Sequence, residues 1–193
     1  MFEIRIHGRG GQGVVTTAEL LSIAAFVEGR QAQAFPTFGS ERTGAPVVGF
    51  CRIDDRPIRS HEPIAEPDAV IIQDATLIHQ IDVFGGLRSD GYLLVNTSWS
   101  LAELGLDSFV QRLRPERVMT IPATEVALTH LGRALPGAVL LGAFAALTGQ
   151  VQLESVTSVV RDRFSGPVAE GNVAAVHEAY DMVREEAAHA HAD

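Results

Sequence analysis

The pattern of apolar and polar residues along the chain predicts strands and helices in alternation. Apolar residues at alternate positions predict a strand over Phe2–His7, and apolar residues at helical spacing predict a helix over Val14–Glu28. Runs such as Ala69–Ile72 are apolar throughout, as strands buried inside a parallel sheet are. The further predicted strands are Gln31–Phe35, Val47–Ile53, Ala69–Ile72, Tyr92–Asn96 and Val118–Ile121.

The C-terminal third of the chain is predicted to be helical. A helix is also predicted over Ala75–Ile81, and Leu101–Arg114 is predicted to be part helix and part connection. The small-residue helix Gly137–Leu147 is apolar on all sides, which predicts burial against this chain's sheet or against a partner chain. The C-terminal helices are predicted over Ala123–Leu131, Gly137–Leu147, Leu153–Phe164 and Val168–His189.

The order of these elements predicts an α/β fold. We expect a mostly parallel twisted sheet flanked by helices, Rossmann-like, with a helical C-terminal part. A chain of 193 residues with 46% hydrophobic residues fits one domain, which we place at residues 1–185. Residues 186–193 are predicted to form a flexible tail.

A glycine-rich turn, residues 8–13, connects the first predicted strand to the first helix. Gly8, Gly10 and Gly13 have the spacing of a dinucleotide-binding motif, and the start of a helix offers unpaired N–H groups to an anion such as a phosphate. The second strand ends in Phe35–Pro36 without the acidic residue that would bind a ribose, which argues against ordinary nicotinamide binding. The alternative is a tight turn that binds nothing.

A second stretch, Pro36–Pro46, is rich in glycine and proline and lies between two predicted strands. It contains the adjacent charges Glu41 and Arg42 and the hydroxyl of Thr37. Loops of this length held between strands often have a function. The alternative is a stiff turn with a solvated salt bridge.

Three single residues have competing interpretations. His7 lies at the edge of the glycine turn, and we favour a histidine bonded to backbone over one that contacts a ligand. Asp74 follows a buried strand, and we favour a helix cap over a ligand-binding carboxylate. Cys51, the one cysteine, is predicted to be a core residue, so this chain alone holds neither a disulfide nor an iron–sulfur cluster.

The charge of the chain narrows the possible partners. With 24 acidic and 15 basic residues, the formal net charge is −9, which disfavours nucleic acid and anionic lipid as partners. No apolar run approaches the roughly 20 residues of a membrane span. We expect a cytoplasmic protein with no metal site of its own.

Two stretches taken together resemble a known family. Gly8–Val15 followed by Phe35–Val47 looks like the gamma subunit of the 2-oxoacid:ferredoxin oxidoreductases, above all the pyruvate enzyme. Glu66–Asp68 and Leu141–Phe144 agree with this resemblance, which extends from about residue 2 to about residue 180. One departure is that Leu135–Ala138 stands where relatives usually place an asparagine before the small-residue helix.

The resemblance implies a complex that decarboxylates a 2-oxoacid oxidatively with coenzyme A (CoA) and passes electrons to ferredoxin. It implies alpha, beta and ferredoxin-like partner subunits, which hold thiamine diphosphate, Mg²⁺ and the iron–sulfur clusters, while the gamma subunit helps to bind CoA. No catalytic residue is assigned to this chain. The residues expected to contact CoA are Gly8, Arg9, Gly10, Gly11, Gln12, Gly13, Thr37, Gly39, Glu41 and Arg42.

Two alternatives stay open at this point. One is a purely structural subunit of a related enzyme, from the indolepyruvate, 2-oxoglutarate or CoA-independent branch, that binds no ligand itself. The other is an independent nucleotide-binding enzyme, which is disfavoured because no nucleophile–base pair is evident in the sequence.

Overall fold

The computed structural model describes residues 1–37 and 43–190, and within them six strands form one sheet. The strands are β1 (Phe2–Arg9), β2 (Gln31–Pro36), β3 (Pro46–Asp54), β4 (Ala69–Ile72), β5 (Tyr92–Asn96) and β6 (Val118–Ile121). Their order across the sheet is β2-β3-β1-β4-β5-β6. β1, β4, β5 and β6 run parallel, whereas β2 and β3 form an antiparallel pair that joins β1 through β3. The predicted α/β fold with a mostly parallel sheet is confirmed.

Six helices accompany the strands in the part of the chain that the structure describes. They are α1 (Val14–Val27), α2 (Asp107–Val110), α3 (Ala123–Leu131), α4 (Gly137–Thr148), α5 (Leu153–Arg163) and α6 (Gly166–Ala190). The helical C-terminal part is therefore confirmed. Because α6 runs to Ala190, residues 186–190 of the predicted tail are helical, and the division between domain and tail stays a prediction.

One sequence prediction is wrong in detail on the stretch between β4 and β6. The predicted helix Ala75–Ile81 is a short 3₁₀ helix, Ala75–His79, in which the Leu77 amide donates to the Asp74 carbonyl three residues back. The prediction that Leu101–Arg114 is part helix and part connection is confirmed, since this stretch contains the single turn of α2, and a second 3₁₀ turn follows at Pro115–Arg117. The spacing of a few apolar residues in a short stretch does not distinguish a single helical turn from a longer helix.

One face of the sheet carries the larger core. α1, α4 and α6 cover this face, α5 packs against these helices, and Phe144, Leu140 and Val176 are fully buried there. A Cβ built on Gly142 of α4 would lie far inside van der Waals contact with the Val176 carbonyl of α6, so the two backbones are very close. The small-residue helix is therefore buried by this chain's own α6 and sheet.

The other face is partly polar where β1 and β3 lie. Arg5 of β1 donates from Nη2 to the carbonyls of Val83 (3.1 Å) and Gly85 (2.6 Å). Arg52 of β3 donates from Nη2 to the carbonyl of Glu62 (2.6 Å), and both arginines are buried. Irregular segments cover this face. Their backbone carbonyls need hydrogen-bond donors because these segments do not pair as strands.

Candidate functional site

The glycine turn lies at the carboxyl ends of the parallel strands β1 and β4, at the start of α1. This is the edge where open α/β sheets bind ligands. Gly8 leaves no room for a side chain, since a Cβ built on it would lie 2.5 Å from Cγ2 of Val14. Gly11 and Gly13 have φ values of 94° and 74°, a left-handed backbone that favours glycine. These three positions thus require glycine for two different physical reasons.

The side chains of the turn are bound to Asp74 at the end of β4. Arg9 donates from Nε to Oδ2 of Asp74 at 3.1 Å, and Gln12 donates from Nε2 to the same oxygen at 2.8 Å. Gln12 also accepts the Arg9 backbone N–H through Oε1 at 2.7 Å. The Arg9 guanidinium is further held by the Gly44 carbonyl (3.0 Å), Thr76 Oγ1 (2.7 Å) and Gln80 Oε1 (3.0 Å).

Asp74 therefore has two roles in the fold. The predicted cap is confirmed, because its Oδ1 accepts the Thr76 backbone N–H at 3.0 Å. Its other oxygen receives Arg9 and Gln12. Burial raises the pKa of the Asp74 carboxyl, but hydrogen bonds from Thr76 and Gln12 and the charge of Arg9 outweigh burial, so this pKa lies below its ordinary value. The carboxylate stays ionised and braces the turn.

Two backbone N–H groups of the turn take no part in these hydrogen bonds. Among residues 1–37 and 43–190, the amides of Gly11 and Gly13 find no acceptor. Both residues are exposed, and Gly13 is the N-terminal cap of α1. Unpaired N–H groups at a helix start form a site that accepts an anion. That the predicted residues of the turn contact a ligand stays a prediction, and Arg9 already uses four of its five guanidinium N–H groups within the chain.

The C-terminal end of the second loop pairs with the backbone of the glycine turn. The Gly10 amide donates to the Ala45 carbonyl at 2.9 Å, and the Gly44 amide donates to the Gly10 carbonyl at 3.0 Å. Thr37, at the other end of the loop, donates its amide to the Val48 carbonyl at 2.9 Å and is exposed. The predicted site residues Gly39, Glu41 and Arg42 lie outside the described residues. The two stretches singled out from the sequence are therefore neighbours in the fold.

His7 is bonded to a side chain and not to backbone as predicted. Its Nε2 accepts from Nε of Arg5 at 2.9 Å, and the residue is 3% exposed. Burial and the charge of Arg5 lower the pKa of His7 to about 4, against a weaker opposing effect of Asp82. His7 is therefore neutral at neutral pH. Cys51 is buried as predicted, and burial raises the pKa of its thiol.

A cleft of about 580 Å³ opens beside the turn, on the face of the sheet that carries the helices. Gln12 and Gly13 line it together with Thr16, Thr17 and Leu20 of α1. Its other walls come from the α3–α4 connection and from the corner between α5 and α6, and they include Arg133, Leu135, Arg163, Phe164 and Asn172. This cleft is not predicted from the sequence, because its walls are far apart along the chain and no local pattern marks them.

The described residues contain neither a membrane-spanning helix nor a cluster of metal-binding side chains. No helix there is long and apolar enough to cross a membrane. Nor do three or more histidine, cysteine, aspartate or glutamate side chains come together there in a way that would hold a metal ion.

Comparison with known proteins agrees with the resemblance seen in the sequence. The family model described as pyruvate ferredoxin/flavodoxin oxidoreductase matches residues 3–182. The chain is 50% identical to the pyruvate synthase subunit PorC of Methanosarcina barkeri, over 97% of this chain and 100% of that one. It is 46% identical to the common gamma subunit of the pyruvate/ketoisovalerate oxidoreductases of Pyrococcus abyssi, over 95% and 98% of the two chains.

A solved structure gives the same result in three dimensions. The pyruvate oxidoreductase subunit PORC of Thermotoga maritima superposes with a TM-score of 0.79 at 35% identity, covering 93% of this chain and 95% of that one. The match spans nearly the whole of both chains, so it includes the glycine turn, the sheet and the helical C-terminal part. This chain therefore belongs to the pyruvate ferredoxin/flavodoxin oxidoreductase family, an oxidoreductase family in which its relatives are subunits.

Proposed function

We propose that this chain is the gamma subunit of a thiamine-dependent 2-oxoacid:ferredoxin oxidoreductase, with pyruvate as the 2-oxoacid. The reaction converts 2-oxoacid, CoA and oxidised ferredoxin into acyl-CoA, CO2 and reduced ferredoxin. The observation that supports this most strongly is the match to gamma and PorC subunits over at least 95% of this chain at 46–50% identity. We place the complex in the cytoplasm.

In this proposal the redox and decarboxylation chemistry belongs to partner subunits. Alpha, beta and ferredoxin-like chains hold thiamine diphosphate, Mg²⁺ and the iron–sulfur clusters. The single, buried cysteine of this chain supports this for the clusters, which need several cysteine ligands. The choice of 2-oxoacid also belongs to those partners. The name of the Pyrococcus abyssi relative, a common subunit of pyruvate and ketoisovalerate oxidoreductases, supports this assignment.

The contribution of this chain is to bind and orient CoA. The exposed N–H groups of Gly11 and Gly13 at the start of α1 are suited to a pyrophosphate. Asp74 holds Arg9 and Gln12 so that these N–H groups keep one geometry. A CoA thiol held in a fixed orientation would react faster without any acid or base from this chain. Gly39, Glu41 and Arg42 of the second loop are proposed to complete the contacts.

The test is calorimetric titration of CoA into the assembled complex, with wild type compared with Gly11→Val. Gly105→Val is the matched control, because Gly105 also has a positive φ (70°) and open space around it but lies far along the chain from the turn. We expect Gly11→Val to weaken CoA binding at least tenfold and the control to leave it unchanged, with equal assembly of all three on size-exclusion chromatography.

A purely structural role is the second candidate. It would apply if the enzyme belonged to the indolepyruvate, 2-oxoglutarate or CoA-independent branch. The internal bonding of Arg9 and Gln12 favours this candidate, because both side chains already bond to other groups of the fold. Equal CoA binding by wild type and Gly11→Val would overturn the CoA-binding role and leave this chain a scaffold.

A further inference from the structure

The peptide unit between Gln12 and Gly13 is held by a side chain from another part of the sheet. Its carbonyl accepts Nε2 of Gln73, the residue that directly follows β4, at 3.1 Å. None of the described peptide bonds is cis, and a planar trans peptide unit points its carbonyl and its N–H in opposite directions. The hydrogen bond from Gln73 therefore fixes the direction of the Gly13 N–H, which is one of the two free N–H groups of the turn.

The other free N–H group is fixed in the same way, but by the backbone. The Gly10 carbonyl, which shares a peptide unit with the Gly11 N–H, accepts the Gly44 amide at 3.0 Å. The bond that orients the Gly13 N–H comes from a side chain, so it can be removed by a substitution that leaves the backbone unchanged. This makes the contribution of Gln73 measurable.

Gln73 is itself held in one position by neighbouring elements. It is 1% exposed, its amide donates to the His7 carbonyl at 2.7 Å, and its carbonyl accepts Nδ2 of Asn96 at 2.8 Å. Asn96, at the end of β5, accepts the Thr124 amide through Oδ1 at 3.1 Å and donates from Nδ2 to Thr124 Oγ1 at 2.8 Å. The ends of β1 and β5 and the start of α3 thus support this side chain, as a precise binding site requires.

The glutamine side chain also has a cost for the fold. Its Oε1 is buried and has no hydrogen-bond partner among residues 1–37 and 43–190. A buried acceptor without a donor lowers stability, and an apolar side chain of similar length would avoid this loss. Stability alone therefore does not account for a glutamine at position 73, whereas a donor to the Gln12 carbonyl has a use at the turn.

We propose that Gln73 is a positioning residue for CoA, which acts through the Gln12–Gly13 peptide unit and does not itself touch the ligand. With this donor in place, the Gly13 N–H has its direction before the pyrophosphate arrives. Without it, the peptide unit is free to rotate, and binding has to order it at a cost in affinity. This inference rests on the proposed CoA-binding role of the turn and adds a residue that was not among those expected from the sequence.

The test compares Gln73→Met with Gln33→Met in the assembled complex. Methionine is unbranched and nearly as long as glutamine, but it has no donor. Gln33 is the matched control, because its Nε2 bonds to His61 at 2.8 Å and its buried Oε1 has no partner among the described residues. It lies far from the turn, since it pairs with Arg52, which pairs with Glu3 at the start of β1.

We expect Gln73→Met to raise the Kd for CoA, measured by calorimetry, roughly threefold to tenfold, which corresponds to one hydrogen bond. The KM for CoA should rise as well, whereas the KM for the 2-oxoacid should stay unchanged. The melting temperature of the chain should shift by no more than about 4 °C, because removal of the unpaired acceptor offsets the lost bond. Gln33→Met should match wild type in all three constants. A residue needed only for folding would not affect CoA and the 2-oxoacid differently.

The outcomes separate this inference from the proposal on which it rests. Equal CoA affinities of Gln73→Met and Gln33→Met, together with a loss of CoA binding in Gly11→Val, would overturn the positioning role and leave the turn as the CoA site. If neither Gln73→Met nor Gly11→Val changed CoA binding, both proposals would be overturned. If Gln73→Met melted at a much lower temperature, Gln73→Leu would replace it, and a large loss of stability in both variants would make Gln73 a structural residue and overturn the inference.

Discussion

Arg9 and Asp74 meet at the carboxyl ends of neighbouring strands, with Arg9 Nε 3.1 Å from Asp74 Oδ2. The pair ties the glycine turn after β1 to the 3₁₀ helix after β4, and it has side-chain exposures of 22% and 14%. Both side chains are therefore mostly buried but still contact solvent. Because Gln12 donates to the same carboxylate oxygen, the shape of the turn depends on one acidic residue from another strand.

The first prediction concerns this carboxylate. Asp74→Asn should lower the free energy of unfolding by about 1–2 kcal/mol, because hydrogen bonds to a charged group are lost and the amide presents a donor where Arg9 donates. Chemical denaturation measures this change. Asp55→Asn is the control, since Asp55 pairs with Arg30 but is 85% exposed, and such surface pairs contribute little. An equal effect of the two substitutions would contradict the bracing role of Asp74.

The second prediction concerns the pH dependence of stability caused by His7. Its folded pKa of about 4 lies below the ordinary value of 6.5, so the unfolded chain binds a proton more readily between these pH values. Stability should therefore fall as the pH drops from about 6.5 towards 4 and should not change through this group above 6.5. The loss from His7 should be about 2 kcal/mol between pH 7.5 and pH 5.

His7→Gln isolates this effect from that of the other histidines. Glutamine keeps an acceptor for Nε of Arg5 but does not titrate. Urea unfolding at both pH values should show a smaller loss on acidification in the variant than in wild type. Identical losses would mean that the buried imidazole does not govern this part of the pH profile.

The third prediction concerns the contact between α4 and α6. Helix propensity alone would make Gly142→Ala stabilising by about 0.5–1 kcal/mol. The Val176 carbonyl occupies the space that a Cβ would need, so we expect destabilisation by about 2–3 kcal/mol or more. The sign of the change in unfolding free energy decides between the two effects. A stabilised variant would show that the helices separate at little cost.

The fourth prediction concerns the polar face of the sheet. Arg52→Met should lower the free energy of unfolding by about 2–4 kcal/mol, because the Glu62 carbonyl and the Glu3 carboxylate lose a buried donor. Limited proteolysis should also become faster near Ser60 and Glu62, whose carbonyls accept from the arginine. Arg56→Met, at an exposed arginine, should change neither quantity. Unchanged proteolysis in Arg52→Met would show that this segment is held in another way.

The sequence by itself determined most of the elements and the place of the glycine turn. Strand β1, the turn and helix α1 follow from local rules, because alternation, helical spacing and glycines with positive φ are properties of short stretches. Membership of the family was also evident from the sequence, since it depends on two motifs at a fixed spacing. The prediction was poorest between β4 and β6, where single turns such as Ala75–His79 are too short for a periodic pattern.

The tertiary structure decided which groups meet. Asp74 could be predicted as a cap from its neighbours, but its bonds to Arg9 and Gln12 connect residues more than 60 positions apart. His7 was expected to bond to backbone, and only the burial of Arg5 on the same face of β1 gives it a side-chain partner. The cleft is built from α1, the α3–α4 connection and the α5–α6 corner, so its walls come together only when the helices pack.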